Sequence, residues 1–401
     1  MLLAIAVLPL AVHEWWDRNI NKFIVSVVLG LPVFVYLSLV FPQGGHLLIH
    51  SGVEYFSFIM LLTALYVISG GIYLAGDLAA RPLTNVGFLL AGSIFASFMG
   101  TTGAAMMLIR PLLHTNQERK HVVHTVVFFI FLVANIGGCM TPLGDPPLFM
   151  GYLFGVPFSW TFSLWKEWAL VTGLLLGLYW LVDGYYYRKE EPSARERDAC
   201  EVSALRLQGG FNVALLAGVV LTIAFITATP QREVVLAALA GISWFCTPRS
   251  IHHNNRFNFH PIIEVAVLFL GIFVTMVPAI YLLRTRGAEL GITEPWQFFW
   301  ATGLLSSFLD NTPTYVVFFN LAQTLPGVDE IAGMSQRVLT AVSLGAVFFG
   351  ASTYIGNAPN FMVKAIAEKR GVPMPSFFGY LAWSAAVLFP VFGLVTLIWF
   401  S

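Results

Sequence analysis

Thr141-Pro142-Leu143-Gly144-Asp145-Pro146-Pro147-Leu148-Phe149-Met150 returns 212 residues later as Thr353-Tyr354-Ile355-Gly356-Asn357-Ala358-Pro359-Asn360-Phe361-Met362. Each copy places a glycine, a polar residue and a proline within four positions of an otherwise apolar run. Proline removes an N–H and clashes with the carbonyl one turn back, and glycine permits the unwound geometry that results. Each run is therefore expected to be two half-helices joined by exposed backbone. Free carbonyls at such a junction can hold a cation, and free N–H groups at the start of the second half-helix can hold an anion.

The echo extends outward. Ser97-Phe98-Met99-Gly100-Thr101-Thr102 recurs as Ser307-Phe308-Leu309-Asp310-Asn311-Thr312 at a spacing of 210, and Glu54 recurs as Glu264 at the same spacing. Three anchors in nearly one register point to a duplicated unit. The stretches 87–113 and 296–325 are apolar but interrupted, the first at Gly100-Thr101-Thr102-Gly103 and the second at Asp310-Asn311-Thr312-Pro313. A break flanked by two half-length apolar arms suits a re-entrant helical hairpin. Such backbone is tolerated at membrane depth only where protein or a water-filled cavity covers it.

Composition fixes the surroundings. Hydrophobic residues make up 57% and charged residues 10%, against about 25% charged in an ordinary soluble domain. Most of this surface must meet lipid, and the 35 Phe and 11 Trp suit lipid contact and interfacial belts. The formal net charge is zero, which gives no support for nucleic-acid binding. Cys139, Cys200 and Cys246 show no metal-binding spacing, and Cys139 reads as a small buried hydrophobe. The apolar start, 1–12, lacks the marks of a cleavable signal and is short for a span unless Trp15 and Trp16 extend it.

The fold expected is an all-α polytopic membrane protein with inverted-topology repeats, two re-entrant hairpins and two discontinuous helices. The first repeat covers 1–187, with hairpin 87–113 and broken helix 121–154. The second covers 210–401, with hairpin 296–325 and broken helix 337–363. The charged stretch 188–209 reads as a solvated cytoplasmic linker. Ten spans are expected, near 1–12, 23–41, 53–75, 121–154, 167–187, 211–229, 231–247, 261–283, 337–363 and 376–400. With the linker inside, six inner loops hold 16 of the 21 Lys and Arg. That bias sets the orientation and puts both termini outside.

Two cation sites are expected, one per repeat. The first combines Thr101, Thr102, Gly144 and Asp145. The second combines Asp310, Asn311, Thr312, Gly356 and Asn357, with Thr314 close by on the same hairpin tip. Asp145 and Asp310 are the two acids at midplane depth, where a carboxylate is costly unless paired, hydrated or protonated. One carboxylate able to take a proton or a sodium ion supplies the competition an antiporter requires. Capping a half-helix is the alternative role for each acid. Glu54 and Glu264 are read at the starts of equivalent spans, as interface anchors or vestibule residues. His114, His121 and His124 are read as solvated or in contact with headgroups. Arg110 and Lys364 either attract an anion or belong to the basic bias.

These motifs, together with Gly-Thr-Thr-Gly-Ala-Ala-Met-Met at 100–107 and Gly-Ala-Ser-Thr-Tyr-Ile-Gly-Asn-Ala-Pro-Asn at 350–360, resemble the ion transporter superfamily. That group includes NhaD-type sodium/proton antiporters, arsenite pump subunits, citrate transporters and divalent-anion/sodium symporters. The resemblance implies an elevator-type homodimer in the bacterial inner membrane, with a scaffold and a moving domain carrying both hairpins. In the dicarboxylate symporters, Ser-Asn-Thr motifs at the hairpin tips bind sodium and a substrate carboxylate. Here the tips read Gly100-Thr101-Thr102 and Asp310-Asn311-Thr312, and the embedded acids lean toward the antiporter branch.

The function expected is secondary transport by sodium/proton antiport. The alternative is sodium-coupled uptake of citrate or a related carboxylate. Sodium and protons enter as transported or coupling ions, and no cofactor is expected. Leu143-Gly144-Asp145 resembles part of an intramembrane aspartyl protease signature, but Pro142 stands where that signature needs glycine, so no enzyme is expected. A channel fits paired, duplicated breaks less well than alternating access does.

Overall fold

The computed structural model describes residues 1–16, 18–200, 202–325 and 330–401. In the first half the helices are α1 (Leu2–Ala11), α2 (Asn19–Leu39), α3 (Gly44–Gly70), α4 (Pro82–Met99), α5 (Thr101–Thr115), α6 (Val123–Leu132), α7 (Pro146–Leu153) and α8 (Trp165–Lys189). In the second they are α9 (Phe211–Phe225), α10 (Gln231–Cys246), α11 (His260–Arg286), α12 (Pro295–Phe308), α13 (Asn311–Ala322), α14 (Gln336–Phe349), α15 (Ala358–Lys369) and α16 (Phe377–Val395).

By length and composition, seven segments among the described residues can cross a membrane: α2, α3, α4, Val123–Met140, Phe158–Lys189, α11 and Phe377–Phe400. This differs from the ten expected spans. Helices α1, α9 and α10 and the two arms of 337–363 are each too short alone, while α4 by itself is long enough. Outward-facing apolar side chains such as Val28, Leu31 and Phe34 on α2 and Leu181 on α8 suit contact with lipid.

Both interrupted segments fold back on themselves. Gly100, at φ +79°, separates α4 from α5, and Gly92 on one arm lies against Leu108 on the other. A positive φ of this kind is open to glycine without steric cost. In the second half, Phe298 of α12 and Phe318 of α13 meet edge to face at 6.5 Å. The two apolar runs with internal proline are also broken where expected. Helix α6 passes through a tight turn at Ile136–Met140 before α7, and α14 passes through Gly350–Ser352 before α15. These first arms form the centre of the core. Every residue from Val126 to Ala134 is buried, as is every residue from Val338 to Phe349. A helix apolar all round can be enclosed on all sides at no cost in stranded polar groups.

Away from that centre, α2 crosses α11, with Ser26 tight against Gly271 and buried Lys22 paired to Glu264 at 2.7 Å. Helix α3 packs on α10 and α11. The expected equivalence of Glu54 and Glu264 at span starts is corrected here. Helix α3 begins at Gly44, so Glu54 lies well inside it, whereas Glu264 lies in the second turn of α11. The pair His50–Glu54, 3.2 Å apart at i,i+4 spacing, supports the added turns.

The chain is mostly helical, as expected of an all-α membrane protein, with one small addition: β1 (Tyr73–Asp77) pairs antiparallel with β2 (Ser203–Gln208), Tyr73 opposite Gln208 and Ala75 opposite Arg206. Within the stretch 188–209, β2 is exposed and is tied to the first half by this pairing. Asp198 accepts the Ala80 N–H at 3.0 and 3.1 Å, and Glu190 accepts those of Lys120 and His121. One further expectation is corrected: His124, read as solvated or in contact with headgroups, is neither. It is buried, with Nε2 2.7 Å from Asp183, a carboxylate that also receives Arg119 and Asn85. A buried acid needs such partners, and this one ties α4, α6 and α8 to the 116–121 turn.

Candidate functional site

One threonine organises each break. Thr141 and Thr353 are both extended, at φ −140°, ψ 159° and φ −138°, ψ 167°. Their hydroxyls donate to the carbonyls of Ser97 and Ser307, at the ends of the two hairpins' first arms. The same hydroxyl oxygens accept the N–H groups of Leu143 at 3.1 Å and Ile355 at 3.2 Å. Each hairpin is thus joined to its own broken segment by corresponding residues. The chain also crosses itself closely here. A Cβ on Gly144 would lie 2.1 Å from the Gly138 carbonyl oxygen, and one on Gly356 would lie 2.6 Å from that of Gly350.

Prolines decide what the next residues do. Helix α7 opens with Pro146 and Pro147, which have no N–H to cap, and the Leu148 N–H reaches the backbone carbonyl of Asp145 at 3.0 Å. Helix α15 opens with Ala358 and Pro359, and the Asn360 N–H reaches the carbonyl of Asn357 at 3.1 Å. Asp145 and Asn357 occupy N-cap positions yet make no side-chain cap. Their side chains turn inward to each other.

The Asp145 carboxylate is 0% exposed. Oδ2 accepts from Asn311 Nδ2 at 2.6 Å, and Oδ1 accepts from Asn357 Nδ2 at 3.1 Å and Thr101 Oγ1 at 3.3 Å. Every donor is neutral. Among the described residues no basic side chain pairs with Asp145.

Most of the expected residues therefore meet in one cluster rather than two. Asn311 and Asn357, assigned to the second site, donate to the acid of the first, because α13 and α15 meet α7 and α6 at the molecule's centre. Gly144 contributes its carbonyl, which holds the Thr101 N–H at 2.9 Å, and Gly356 serves the close crossing beside it. Thr312 Oγ1 donates to Asn311 Oδ1 at 3.3 Å. Thr102 is half-buried, and among the described residues its side chain has no hydrogen-bond partner. Asp310 stands outside the cluster: Oδ1 accepts the Thr312 N–H at 3.1 Å, and its backbone carbonyl accepts Thr314 Oγ1 at 3.0 Å. It is the N-cap of α13.

Two residues of the cluster were not anticipated. Asn135 accepts from Asn357 at 3.2 Å and donates to the Ile130 carbonyl at 2.8 Å and to Asn360 Oδ1 at 2.7 Å. Asn360 donates to the carbonyls of Gly350 and Thr353, both at 2.8 Å. These amides satisfy carbonyls that the ends of α6 and α14 leave open. The signals were present: Asn135 interrupts a long apolar run, and Asn360 stands where the other copy has Leu148.

Among the described residues no three His, Cys, Asp or Glu side chains converge as a metal site. The cluster offers one carboxylate, four amides and two hydroxyls, which suits a proton or a hard cation held by oxygen. A cleft beside Thr312 and Pro313 opens between α13, α3 and α11 and carries Glu54 among apolar residues such as Phe273 and Met276.

No curated protein matches this sequence. A family model described as "Putative citrate transport" matches residues 1–400. Together with the seven apolar helices, that match makes the chain an integral, multi-pass membrane protein. The chain belongs to this citrate transport family, and it is a membrane transporter.

Proposed function

We propose that the protein is a secondary transporter whose ion-binding centre, built on Asp145, takes a sodium ion and a proton in turn. The observation that carries this reading is the enclosed Asp145 carboxylate with neutral donors only. A carboxylate so placed is costly in a membrane unless an ion joins it. A proton neutralises it in place. A sodium ion needs oxygen ligands, and turning the amides of Asn311 and Asn357 replaces their N–H groups with carbonyl oxygens beside Asp145 and Thr101. The two ions then compete for one carboxylate, and the protein exchanges sodium for protons.

In the same reading, α4–α5 and α12–α13 are re-entrant hairpins of two inverted repeats. The matching Thr141–Ser97 and Thr353–Ser307 bonds support this. The hairpins and broken segments move together, elevator-fashion, against α2, α3, α10 and α11 in a homodimer. The membrane is the bacterial inner membrane, and both termini lie outside.

Sodium-coupled uptake of citrate or a related carboxylate is the second reading, favoured by the family match. Glu54 in the cleft beside Thr312 opposes it, because an acidic side chain among apolar residues offers an approaching polyanion no attraction. Proteoliposomes decide. An imposed sodium gradient is expected to drive proton movement, and Asp145→Asn is expected to abolish it. Sodium-dependent uptake of labelled citrate without proton exchange selects the second reading. If neither flux occurs, both fall.

A further inference from the structure

The central cluster leaves one group of charges unexplained. Helices α5 and α15 begin at the cluster, at Thr101 and just after Asn357, and pack against each other. Arg110 lies nine residues beyond Thr101, about 14 Å along the helix. Arg370 follows the last residue of α15. A third arginine, Arg256, lies in the turn before α11 at φ +49°, a backbone conformation that non-glycine residues adopt at some cost.

An apolar floor lies beside Arg110 and Arg256. Tyr66, Met106 and Ile262 pack together, with Phe257 and Met362 against them. The Tyr66 ring lies 5.1 Å from that of Phe257, and its hydroxyl donates to the Asn258 carbonyl at 2.8 Å. Met106 is one turn before Arg110, and Phe257 follows Arg256, so the floor fixes where both arginines emerge. The titratable groups whose fields reach Arg110 are Arg256, Arg370 and the hydroxyls of Tyr66 and Tyr73, with no carboxylate among them. Arg110 Nη1 makes only a 3.5 Å bond to the Met106 carbonyl of its own helix. Of the nearby acids, Glu368 pairs with Lys364 at 2.8 Å, and Asp77 lies 3.9 Å from His114 through Oδ2 while its buried Oδ1 has no hydrogen-bond partner among the described residues. Among the described residues none of the three arginines forms an ion pair.

Like charges gathered over an apolar surface repel, and a multivalent counter-ion removes that cost. We infer that Arg110, Arg256 and Arg370 form a receptor for a polyvalent anion of the carboxylate or phosphate type. The planar, multi-donor guanidinium suits both. The anion bridges α5 and α15 to the turn before α11. Its occupancy therefore favours the arrangement in which those elements meet. The site uses no residue of the central cluster and stands whichever ion or cargo that cluster takes.

The test uses the full chain in neutral detergent. Inorganic pyrophosphate and citrate are titrated at constant ionic strength while the thermal unfolding midpoint is followed. Both anions are expected to raise the midpoint where chloride of equal ionic strength does not. Arg110→Gln and Arg370→Gln are each expected to weaken apparent affinity about tenfold. Lys369→Gln, which removes an equal charge next to the trio, is expected to weaken it less than about twofold. Asp145→Asn is expected to lose flux and keep the anion response, which separates this site from the transport reading. In nanodiscs, a pyrophosphate response kept in both zwitterionic and anionic lipid assigns the site to a soluble anion. A response lost only in anionic lipid assigns it to a headgroup phosphate. No anion-specific shift in any medium, or an equal loss in Lys369→Gln, overturns the site.

Discussion

Asp145 and Asp310 occupy the same kind of place, each the last residue before the second arm of a broken apolar segment, yet they do different work. Asp310 caps its helix through the Thr312 N–H. Asp145 faces a helix whose first two residues are prolines and leaves its carboxylate to three donors from elsewhere. The residues downstream make the difference. Where N–H groups at a helix start are free, an acid is drawn to them. Where prolines have removed them, the acid is available for an ion. An embedded acid is therefore a functional candidate only after its local hydrogen bonds have been counted.

The largest expected effect separates the two acids. Asp145→Asn is expected to reduce sodium-driven proton flux in proteoliposomes about a hundredfold, the scale of one lost charge-assisted contact of about 3 kcal/mol. Asp310→Asn keeps a good N-cap and is expected to leave flux within about threefold, and Asp310→Ala is expected to cost about 1 kcal/mol of stability. Equal loss of flux in the two asparagine variants would break the distinction. A double exchange sharpens it. Asp145→Asn with Asn357→Asp moves the carboxylate 3.1 Å across its own hydrogen bond. Flux recovering to about a tenth of the original is expected if charge at this centre matters more than its exact owner. No recovery at all would assign the role to position 145 itself.

The glycine crossings come next. Gly144→Ala puts a methyl 2.1 Å from a carbonyl oxygen, while Gly356→Ala puts one at 2.6 Å. Both oxygens are backbone and cannot swing away. Costs of about 3 kcal/mol are expected, as in a tightly overpacked core, with the larger at Gly144. Thermal unfolding in detergent reads both. A harmless Gly144→Ala would mean that the first break is looser than its geometry.

Much of this was legible in the sequence. Proline and glycine act locally, so the breaks at 141–146 and 353–358 and the turns at Gly100 and Asp310 follow from the residues present. The oxygen-bearing tips and Asp145 followed for the same reason. The merging of two sites into one did not, because it depends on how α13 and α15 meet α6 and α7. Asn135 and Asn360 were missed because their task is to satisfy carbonyls on distant turns. The β1–β2 ribbon was missed because its partners lie far apart in the chain and β2 is short and exposed, its alternation limited to Leu205-Arg206-Leu207-Gln208. Of the basic residues counted toward orientation, Lys22 and Arg119 are held in buried ion pairs. Charge counting reads composition, and burial is decided by packing.

The smallest effect tests how alike the two breaks are in detail. Ser97 Oγ donates to the Gly137 carbonyl at 2.5 Å and accepts the Met140 N–H at 3.2 Å. Ser307 Oγ has the carbonyls of Gly303 at 3.1 Å and Phe349 at 3.3 Å, with one hydroxyl proton to share between them. Ser97→Ala therefore strands a backbone N–H as well as a carbonyl, whereas Ser307→Ala weakens bonds that were already divided. Losses of about 1.5 and about 0.5 kcal/mol are expected, measured as shifts in unfolding midpoint. Equal losses would mean that the hydroxyl's donor bond is all that matters in each half. A larger loss at Ser307 would mean that the second break, and not the one bearing Asp145, is the more tightly held.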